Sequence, residues 1–349
     1  MSFNTNQLRN YFRSGLATVA INSPTASELT LTRTIFDAFS NSFTIYLWDT
    51  GKLLQQLELN RGNLVKNAVT NYNNNDHPIA AILKHIEGEC NQTNNRHSSL
   101  FILKDLMNLL AGDNPNPALI RLAIDCFFAL KRSPHRLIIL HDSLTIPNCF
   151  QDLVVELENP LPTESEINEI VEYRISALTE SAFNAGVDFE VNLSANNQQK
   201  LIRALSGMTV EAIDDTMQLI AISQGSINEE SIKAIATEKQ TKLSARGIQF
   251  SPPPEVEVQG LPILQEWATT ITTLLEPEAA QFNLPFPKGV LLVGLPGTGK
   301  SLAVKCLSQL WGIPSILLDL GSLMTHKLGG SEQNLRQALK AAESCAPCI

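Results

Sequence analysis

One pattern constrains the fold of this sequence more than any other. Residues 294 to 301 read Gly-Leu-Pro-Gly-Thr-Gly-Lys-Ser and match the spacing G-x-x-x-x-G-K-[ST]. The apolar run Gly289–Val293 before it is typical of a buried strand, and Leu302–Trp311 after it has a helical pattern. The alternative is an ordinary Gly/Pro-rich turn, and the complete pattern between a strand and a helix argues against it. The order of strand, loop and helix therefore favours a phosphate-binding loop in a parallel α/β sheet.

The chemistry of this loop predicts a triphosphate ligand with a metal ion. The first N–H groups of a helix have no acceptor within the helix, and the helix dipole favours anions, so phosphates bind there largely to the main chain. Lys300 would reach the β- and γ-phosphates, and the hydroxyl of Ser301 would ligate Mg²⁺. The predicted nucleotide-binding residues are Gly294, Leu295, Pro296, Gly297, Thr298, Gly299, Lys300, Ser301 and Leu302.

Length and composition exclude several other classes of protein. The chain has 349 residues, of which 44% are hydrophobic and 17% charged, so we expect two or three globular domains. Its formal net charge of −9 disfavours broad binding to nucleic acid or to an anionic membrane. The polar N-terminus lacks an apolar signal segment, and no apolar run is long enough to span a bilayer, so a soluble protein that is not secreted is expected. The six cysteines are scattered, as in a reducing compartment.

The first part of the chain alternates strand-like runs with helical patterns. The strand-like runs are Leu16–Ile21, Phe43–Trp48, Leu100–Leu103, Arg136–Leu140 and, as an outer strand, Leu153–Leu157. The helical patterns are Glu28–Phe39 and Pro117–Lys131, and a further apolar run lies at Pro78–Leu83. This alternation predicts parallel βαβ units with helices on both faces. We therefore predict an α/β domain over residues 1–160.

Only helical patterns follow, up to a proline-rich stretch. They are Glu164–Ser181, Ser194–Leu205, Thr209–Ser223 and Asn228–Lys242. Thr163 and Glu166 have the spacing of a capping box. These patterns predict a helical bundle over residues 161–243, and the prolines indicate a linker over 244–255. A second α/β domain is predicted over 256–349, with a helix at Leu261–Leu275, a strand at Pro314–Leu320 and a further helix at Glu332–Ser344.

The organisation is an imperfect repeat of two modules. In the first module, Asn22–Ser27 stands where the phosphate loop should be and has neither the glycine pair nor a lysine. The strand Leu100–Leu103 ends in Lys104 and Asp105, where a nucleotide-hydrolysing module would have an Asp-Glu pair. We therefore expect the first module not to bind a triphosphate in the usual way.

Residues 256–349 resemble the AAA ATPases, and most closely an AAA protein encoded in cyanobacteria and, as a hypothetical chloroplast reading frame, in some plastid genomes. The similarity lies in Gln259–Trp267, Leu284–Gly294, the phosphate loop, Leu318–Leu323 and Gly329–Arg336. In that family the N-terminal region is similar to a degenerate AAA module with a helical lid, which here would be residues 1–160 and 161–243. The lid resemblance rests on Asn159–Glu164 and Leu205–Thr209.

The resemblance implies a function for the intact protein. It implies P-loop-type parallel sheet modules, ATP and Mg²⁺ as ligands, and hydrolysis of ATP to ADP and phosphate with Lys300 as a catalytic residue. It also implies protein partners, a homo-oligomer that would be a hexamer at full length, and a location in the cytoplasm or, if the gene is plastid-encoded, in the stroma.

Two departures from the family limit what can be transferred. AAA unfoldases place an aromatic residue two positions before the glycine that matches Gly329, and this sequence has Lys327 there, so polypeptide threading is in doubt. The acidic pair of the Walker B strand, the sensor residue, the arginine finger and the C-terminal lid would all lie beyond Ile349. Phosphoryl transfer needs such groups besides the loop. We therefore expect this sequence to be a fragment or a truncated product of a longer ATPase.

Three functions remain open. The first is an AAA-type ATPase that couples hydrolysis to remodelling of a partner. The second is a nucleotide-binding scaffold that does not hydrolyse ATP, which fits the sequence as printed equally well. The third, a clamp loader or DNA-associated ATPase, is disfavoured by the acidic balance and by the lack of basic runs.

Weaker signals have ordinary explanations. The pair Cys345 and Cys348 has C-x-x-C spacing, but it follows a helix and has no second cysteine pair, so coincidence is favoured over a redox or zinc site. Asp105 and Asp142 follow strands of the first module, where ligands bind in doubly wound sheets. Without a phosphate loop nearby, they are expected to be turn or cap residues.

Overall fold

A computed structural model of the chain gives the fold as two compact units. The first comprises residues 1–162 and 209–212, and the second comprises 163–208 and 213–349. The structure describes residues 3–69, 77–92, 98–110, 116–142, 146–186, 189–228, 230–232, 234–235, 248–251, 254, 260–272, 274, 289–311, 313–318, 335, 339, 342 and 348–349.

The first unit is built on a seven-stranded sheet. Its strands are β1 (Thr18–Asn22), β2 (Thr44–Asp49), β3 (Leu53–Asn60), β4 (Asn63–Ala68), β5 (Ser99–Lys104), β6 (Arg136–His141) and β7 (Val155–Glu158). Their order across the sheet is β4-β3-β2-β5-β6-β1-β7. The predicted α/β class is therefore confirmed.

Five strands of this sheet run parallel, and two form an antiparallel hairpin. β1 pairs in parallel with β6 on one side and with β7 on the other, so that Val19 lies between Ile138 and Val155. β5 likewise lies between β2 and β6. The hairpin of β3 and β4 extends the sheet beyond β2, and sequence reasoning did not predict it.

Helices cover both faces of the sheet. They are α1 (Thr5–Arg13), α2 (Glu28–Phe39), α3 (Pro78–Asn91), α4 (Leu106–Leu110) and α5 (Pro117–Lys131). The apolar run Pro78–Leu83, which the sequence did not assign to a helix or a strand, lies in α3. Prolines open α3 and α5 because the first turn of a helix does not use the missing N–H group.

Alternation along β5 divides the apolar core into two halves. Phe101 and Leu103 pack in the half that contains residues of α3 and α5, and Leu100 and Ile102 pack in the half that contains residues of α1 and α2. All four are fully buried. Because successive side chains of a strand point to opposite faces, a strand covered on both faces is apolar throughout. Because the five parallel strands run in the same direction, their carboxyl ends lie together at one edge of the sheet.

The second unit begins with helices. They are α6 (Glu164–Ala185), α7 (Ala195–Leu205) and α8 (Val210–Gln224). The first three residues of α8, 210–212, belong to the first unit. The capping box predicted at Thr163 and Glu166 is present and opens α6. Arg174 on α6 forms a two-pronged ion pair with Asp214 on α8. Two short strands, β8 (Glu190–Val191) and β9 (Ser226–Ile227), pair in parallel.

No helix in the described part of the chain is long and apolar enough to cross a lipid bilayer. The longest helix, α6, has 22 residues and is mostly polar on its surface. Of the cysteines, Cys126 and Cys306 are buried, as expected for small apolar residues.

Among the described residues, the remainder of the second unit contains a helix at Pro262–Thr272, the phosphate-loop helix at Lys300–Trp311, and two strands. The strands β10 (Ile248–Ser251) and β11 (Ser315–Leu318) pair antiparallel. β10 falls within the stretch that the prolines indicated as a linker. The backbone of Ile349 also hydrogen-bonds with Pro314 and Ile316, beside β11. The predicted helix Glu332–Ser344 lies largely outside the described residues.

The structure corrects one predicted strand. Gly289–Val293 was expected to be a buried strand, but no strand within the described residues pairs with it. Leu291 is 88% exposed and Val293 is 85% exposed. The apolar composition alone suggested burial, and a strand also needs a neighbour to take up its backbone hydrogen bonds.

Candidate nucleotide site

The loop from Gly294 to Ser301 has a backbone that glycine makes possible. Gly297 and Gly299 have φ angles of +84° and +85°, in the left-handed region that other residues rarely adopt. A Cβ atom on Gly294 would lie 2.8 Å from the Oγ1 atom of Thr298. That hydroxyl instead donates a hydrogen bond of 2.8 Å to the carbonyl of Leu295, which closes the turn. The glycine positions of the sequence pattern are therefore explained by this local geometry.

Lys300 lies where the loop becomes a helix. The helix starts at Lys300, and the carbonyl of Gly299 accepts its hydrogen bond from the N–H group of Ala303 at 2.9 Å. The Lys300 ammonium donates to the carbonyls of Gly294, at 2.8 Å, and Leu295, at 2.6 Å. The Lys300 side chain thus lies across the loop, with its ammonium group at the loop carbonyls. An anionic phosphate oxygen is a stronger acceptor for this ammonium than a neutral carbonyl.

The apolar face of the helix holds the loop in place. Ala303, Cys306 and Leu307 are buried, at the three- and four-residue spacing of one helix face. The indole of Trp311 donates a 3.1 Å hydrogen bond to the carbonyl of Ala268 in the helix Pro262–Thr272, and its ring centroid lies 6.2 Å from that of Trp267. The helix is therefore anchored at the end opposite the loop, while Gly294–Thr298 and Ser301 remain exposed.

These residues fit a phosphate group and a metal ion in part. The glycines leave room for a ligand to approach the backbone, the helix N-terminus favours an anion, and the exposed Ser301 hydroxyl is free to face a metal ion. Within the described residues no cluster of three or more His, Cys, Asp or Glu side chains could hold a metal by itself. Among the residues of the loop, Ser301 would be the ligand of a metal ion that also contacts the phosphates. Lys327 and most of Gly329–Arg336 lie outside the described residues.

The first unit has a different arrangement at the corresponding point of its sheet. After β1 the chain forms a single turn of 3-10 helix, Thr25–Ser27, and then α2. Glu28 is the first residue of α2, and its carboxylate forms an ion pair with the ammonium of Lys104 at the end of β5. The two side chains are only 17% and 14% exposed. The first residue of α2 is thus the acidic Glu28, whereas the first residue of the phosphate-loop helix is Lys300.

Asp105 and Asp142 lie at the same edge of the first sheet. Burial raises the pKa of the Asp105 carboxyl, and the negative charges of Glu28 and Asp142 raise it further. Asp105 has a φ of +57°, and its N–H group donates to the carbonyl of Leu140. Thr25 donates a 3.3 Å hydrogen bond to Asp142. Asp105 directly precedes α4 and its carbonyl accepts a hydrogen bond from the N–H group of Leu109, whereas Asp142 bonds to a side chain that follows β1. That both are turn or cap residues stays a prediction.

Sequence reasoning missed Glu211, whose carboxylate meets the start of α2. Its Oε2 atom accepts a 3.0 Å hydrogen bond from the Ser27 hydroxyl, and its Oε1 atom accepts one from Thr30. Glu211 is separated from these residues by more than half of the chain, and no spacing rule connects them. The only available signal was its place in the first turn of a helix, which is common for glutamate.

Comparison with protein families covers most of the chain. Residues 4–159 match the family described as SpoVK-like AAA ATPase, N-terminal domain, and residues 165–245 match its second domain. Residues 290–349 match the ATPase family associated with various cellular activities, AAA. The first two matches coincide with the sheet unit and the helical region, and the third includes the phosphate loop.

Individual relatives carry the same family name. A protein of Trieres chinensis named uncharacterized AAA domain-containing protein ycf46 is 30% identical over 72% of this chain and 48% of its own length. Proteins of the same name from Guillardia theta and Gracilaria tenuistipitata are 31% and 28% identical, over 63% and 88% of this chain and 42% and 57% of their own lengths. The chain thus spans about half the length of the curated relatives that it matches.

The families and the relatives agree with the residues that suggested the resemblance. The three matched ranges follow one another along the chain, and all three models describe AAA ATPases. The chain belongs to the AAA ATPase family.

Proposed function

We propose that the chain binds ATP with Mg²⁺ at Gly294–Ser301, and that the whole protein hydrolyses ATP to ADP and phosphate to remodel or regulate a protein partner. The backbone N–H groups of the loop and of residues up to Leu302 would hold the phosphates, Lys300 would neutralise their charge, and Ser301 would ligate the metal ion. Bound ATP would supply the transferable phosphoryl group. The observation that supports this most is the Lys300 ammonium, which lies over the loop between carbonyls that a phosphate can replace.

Membership of the AAA family supports nucleotide binding and an oligomeric assembly in general. A hexamer of the whole protein, a protein partner and a location in the cytoplasm or the plastid stroma are the finer parts of the proposal. The net charge of −9 argues against nucleic acid as a ligand. The second candidate is a nucleotide-binding scaffold without hydrolysis, which fits the given sequence equally well.

The experiment compares ATP affinity and turnover in three proteins: the 349-residue chain, a Lys300→Ala variant and a Lys305→Ala variant. Lys305 is exposed on the same helix and serves as the matched control. Loss of Lys300 removes charge-assisted contacts worth about 1.5–3 kcal/mol, so we expect ATP to bind about 10- to 100-fold more weakly. Lys305→Ala should bind ATP as the unchanged chain does.

Turnover then separates the two candidate functions. For the ATPase, a longer natural form of the protein with the remaining strands should hydrolyse ATP, and Lys300→Ala in that form should abolish hydrolysis. ATP binding without turnover in the longer form would support the scaffold. If Lys300→Ala and Lys305→Ala bind ATP equally well, the site assignment is wrong.

A further inference from the structure

The negative charge of the chain is concentrated in its helical region. Residues 163–227, which include α6, α7 and α8, contain ten acidic and three basic side chains, so they account for −7 of the formal net charge of −9. Of the three basic side chains, that of Arg174 pairs with Asp214 within the region itself. A surface with this excess of carboxylates attracts cationic partners and repels nucleic acid and anionic membranes.

The second half of α6 exposes large apolar side chains among these carboxylates. The helix is described from its first residue to its last, and no residue after Val171 is buried. Tyr173 is 71% exposed and Phe183 is 84% exposed. Exposed glutamates, Glu169 and Glu180, lie on the same face of the helix, because all four residues follow the three- and four-residue spacing of one face.

The helix α8 has a similar exposed face in the second unit. Its buried face includes Ile213 and Met217, whereas Leu219 is 53% exposed and Ile222 is 82% exposed. The exposed Asp215 lies one helical turn before Leu219, on the same side of α8. This face therefore also combines a carboxylate with apolar side chains.

The two helices are neighbours in the second unit and run in the same direction. The side chain of Arg174 on α6 contacts that of Asp214 on α8, and β8 and β9, which follow the two helices, pair in parallel. Phe183 and Ile222, nine and eight residues further along, therefore lie at the same end of the helix pair. We define the acidic helical surface by these exposed residues of α6 and α8: Tyr173, Glu180, Phe183, Asp215, Leu219 and Ile222.

This combination of groups selects one kind of partner. Single exposed apolar residues are common, but four large ones framed by carboxylates on two neighbouring helices are typical of an interaction surface. We propose that the acidic helical surface binds a basic, amphipathic segment of another protein. Apolar side chains of the partner pack on Tyr173, Phe183 and Ile222, and its lysines or arginines pair with the surrounding carboxylates. The proposal rests on the protein partner of the proposed function and names its chemistry, but it does not require ATP binding at Gly294–Ser301.

The experiment titrates the 349-residue chain into a fluorescent peptide and follows the anisotropy of the peptide. The peptide has about 18 residues, or five helical turns, of leucine and lysine at helical spacing. One control peptide has glutamate in place of each lysine, and another has serine in place of each leucine. We expect the leucine–lysine peptide to bind more weakly at about 0.3 M salt than at about 0.05 M, and both controls to bind at least about tenfold more weakly than it does.

Variants of the chain test whether the peptide binds at this surface. Phe183→Ser combined with Ile222→Ser removes two apolar contacts, and should weaken binding about tenfold. Glu169→Gln, Glu172→Gln and Glu180→Gln combined remove three charges, and should weaken binding similarly and flatten its dependence on salt. All five side chains are exposed, so circular dichroism should show an unchanged helix content. In the unchanged chain, the peptide should slow hydrogen exchange over residues 169–183 and 215–222.

Matched controls separate this surface from others. Leu29→Ser changes a leucine of α2 in the first unit that is 69% exposed, and it should bind the peptide as the unchanged chain does. Lys300→Ala should also bind it normally, so failure of the nucleotide site can be told apart from failure of this proposal. The proposal is overturned if the peptide does not bind, if either control peptide binds equally well, or if Leu29→Ser weakens binding as much as the surface variants do.

Sedimentation of the chain tests a different occupant of the same surface. If the unchanged chain is a dimer that Phe183→Ser combined with Ile222→Ser converts to a monomer, a second copy of the chain covers the surface and the proposed basic partner is wrong. An unchanged sedimentation coefficient in that variant, together with weaker peptide binding, supports the basic partner.

Discussion

Gly297 shows how a single residue sets the shape of the nucleotide loop. Its φ of +84° is in the left-handed region, yet no atom outside its neighbours lies within 4 Å of where a Cβ would be. A side chain here would therefore meet no other atom, and its free-energy cost would come only from the left-handed backbone conformation. For an L-residue that cost is about 1–2 kcal/mol.

We predict that Gly297→Ala weakens ATP binding about tenfold without disturbing the fold of the second unit. Gly289→Ala is the matched control, since Gly289 also has open space around its Cα but no positive φ. Calorimetric titration with ATP and circular dichroism of both variants provide the measurement. Equal affinities for the two variants would mean that the left-handed conformation does not matter for binding.

His135 connects three elements of the first unit. It precedes β6, its Nδ1 atom accepts a 3.0 Å hydrogen bond from the N–H group of Ser99 at the start of β5, and its ring also contacts the backbone of Glu89 in α3. The side chain is 1% exposed. Burial lowers the pKa of His135, and burial also lowers that of His85. The folded state thus favours the neutral ring, which can accept the hydrogen bond from Ser99.

A lowered histidine pKa makes the first unit less stable in acid. Above the unfolded pKa, near 6.5, neither state binds the proton and the stability is complete. As pH falls below that value the unfolded state binds the proton first, so the free energy of unfolding decreases until the folded pKa is reached. We therefore predict that the free energy of unfolding of the first unit decreases as pH is lowered from 7 to 5.

Urea unfolding followed by hydrogen exchange in β5 and β6 measures this loss. His135→Gln keeps a hydrogen-bond acceptor but does not titrate, so it should lower the stability at every pH and flatten the pH dependence. His77→Gln changes an exposed histidine before α3 and should keep the full dependence. A His135→Gln variant as sensitive to pH as the unchanged chain would contradict the prediction.

Local patterns predicted most elements of the first unit. The structure has helices at Glu28–Phe39 and Pro117–Lys131, with the predicted bounds. In both, the spacing of the apolar residues and the type of the first residue indicate a helix that starts at the same point. The hairpin of β3 and β4 was missed because the run Leu53–Asn60 mixes apolar and polar residues without strict alternation. Its turn uses Arg61 and Gly62, both with positive φ, and Arg-Gly is not among the usual hairpin signals.

The candidate site was predictable to the extent that it depends on neighbours in sequence. The loop from Gly294 to Lys300 is a local structure: its glycines have the backbone conformation that the spacing implies and Lys300 lies over the loop, while phosphate binding by these residues stays a prediction. The burial of Gly289–Val293 depends on distant partners and was not predictable from its composition. The same holds for the carboxylate of Glu211, which reaches α2 from a distant part of the chain.

At the scale of the whole molecule, the two units should differ in their response to nucleotide. The phosphate loop lies in the second unit, and the first unit has a carboxylate and an ion pair in the corresponding place. We predict one ATP per chain, with ligand-dependent stabilisation confined to the second unit. At an ATP concentration of 100 times Kd the stabilisation should be about 2.7 kcal/mol.

Hydrogen exchange with and without ATP and Mg²⁺ checks this prediction, and titration gives the stoichiometry. Protection should increase around residues 294–302 and remain unchanged in β1, β5 and β6. At the same ATP concentration Lys300→Ala should weaken the response, whereas Glu211→Ala should leave it intact. Protection of the first sheet by ATP, or two molecules bound per chain, would contradict the assignment.

The edges of the first sheet bear on how the chain avoids association with itself. At one edge, β4 presents Asn63, Lys66 and Asn67, and at the other, β7 presents the exposed carboxylates of Glu156 and Glu158. Exposed sheet edges are templates for pairing with another molecule, and charged side chains oppose it. The hairpin thus keeps the apolar central strands away from a free edge. We expect the polar hairpin to oppose edge-to-edge aggregation while new chains are folding.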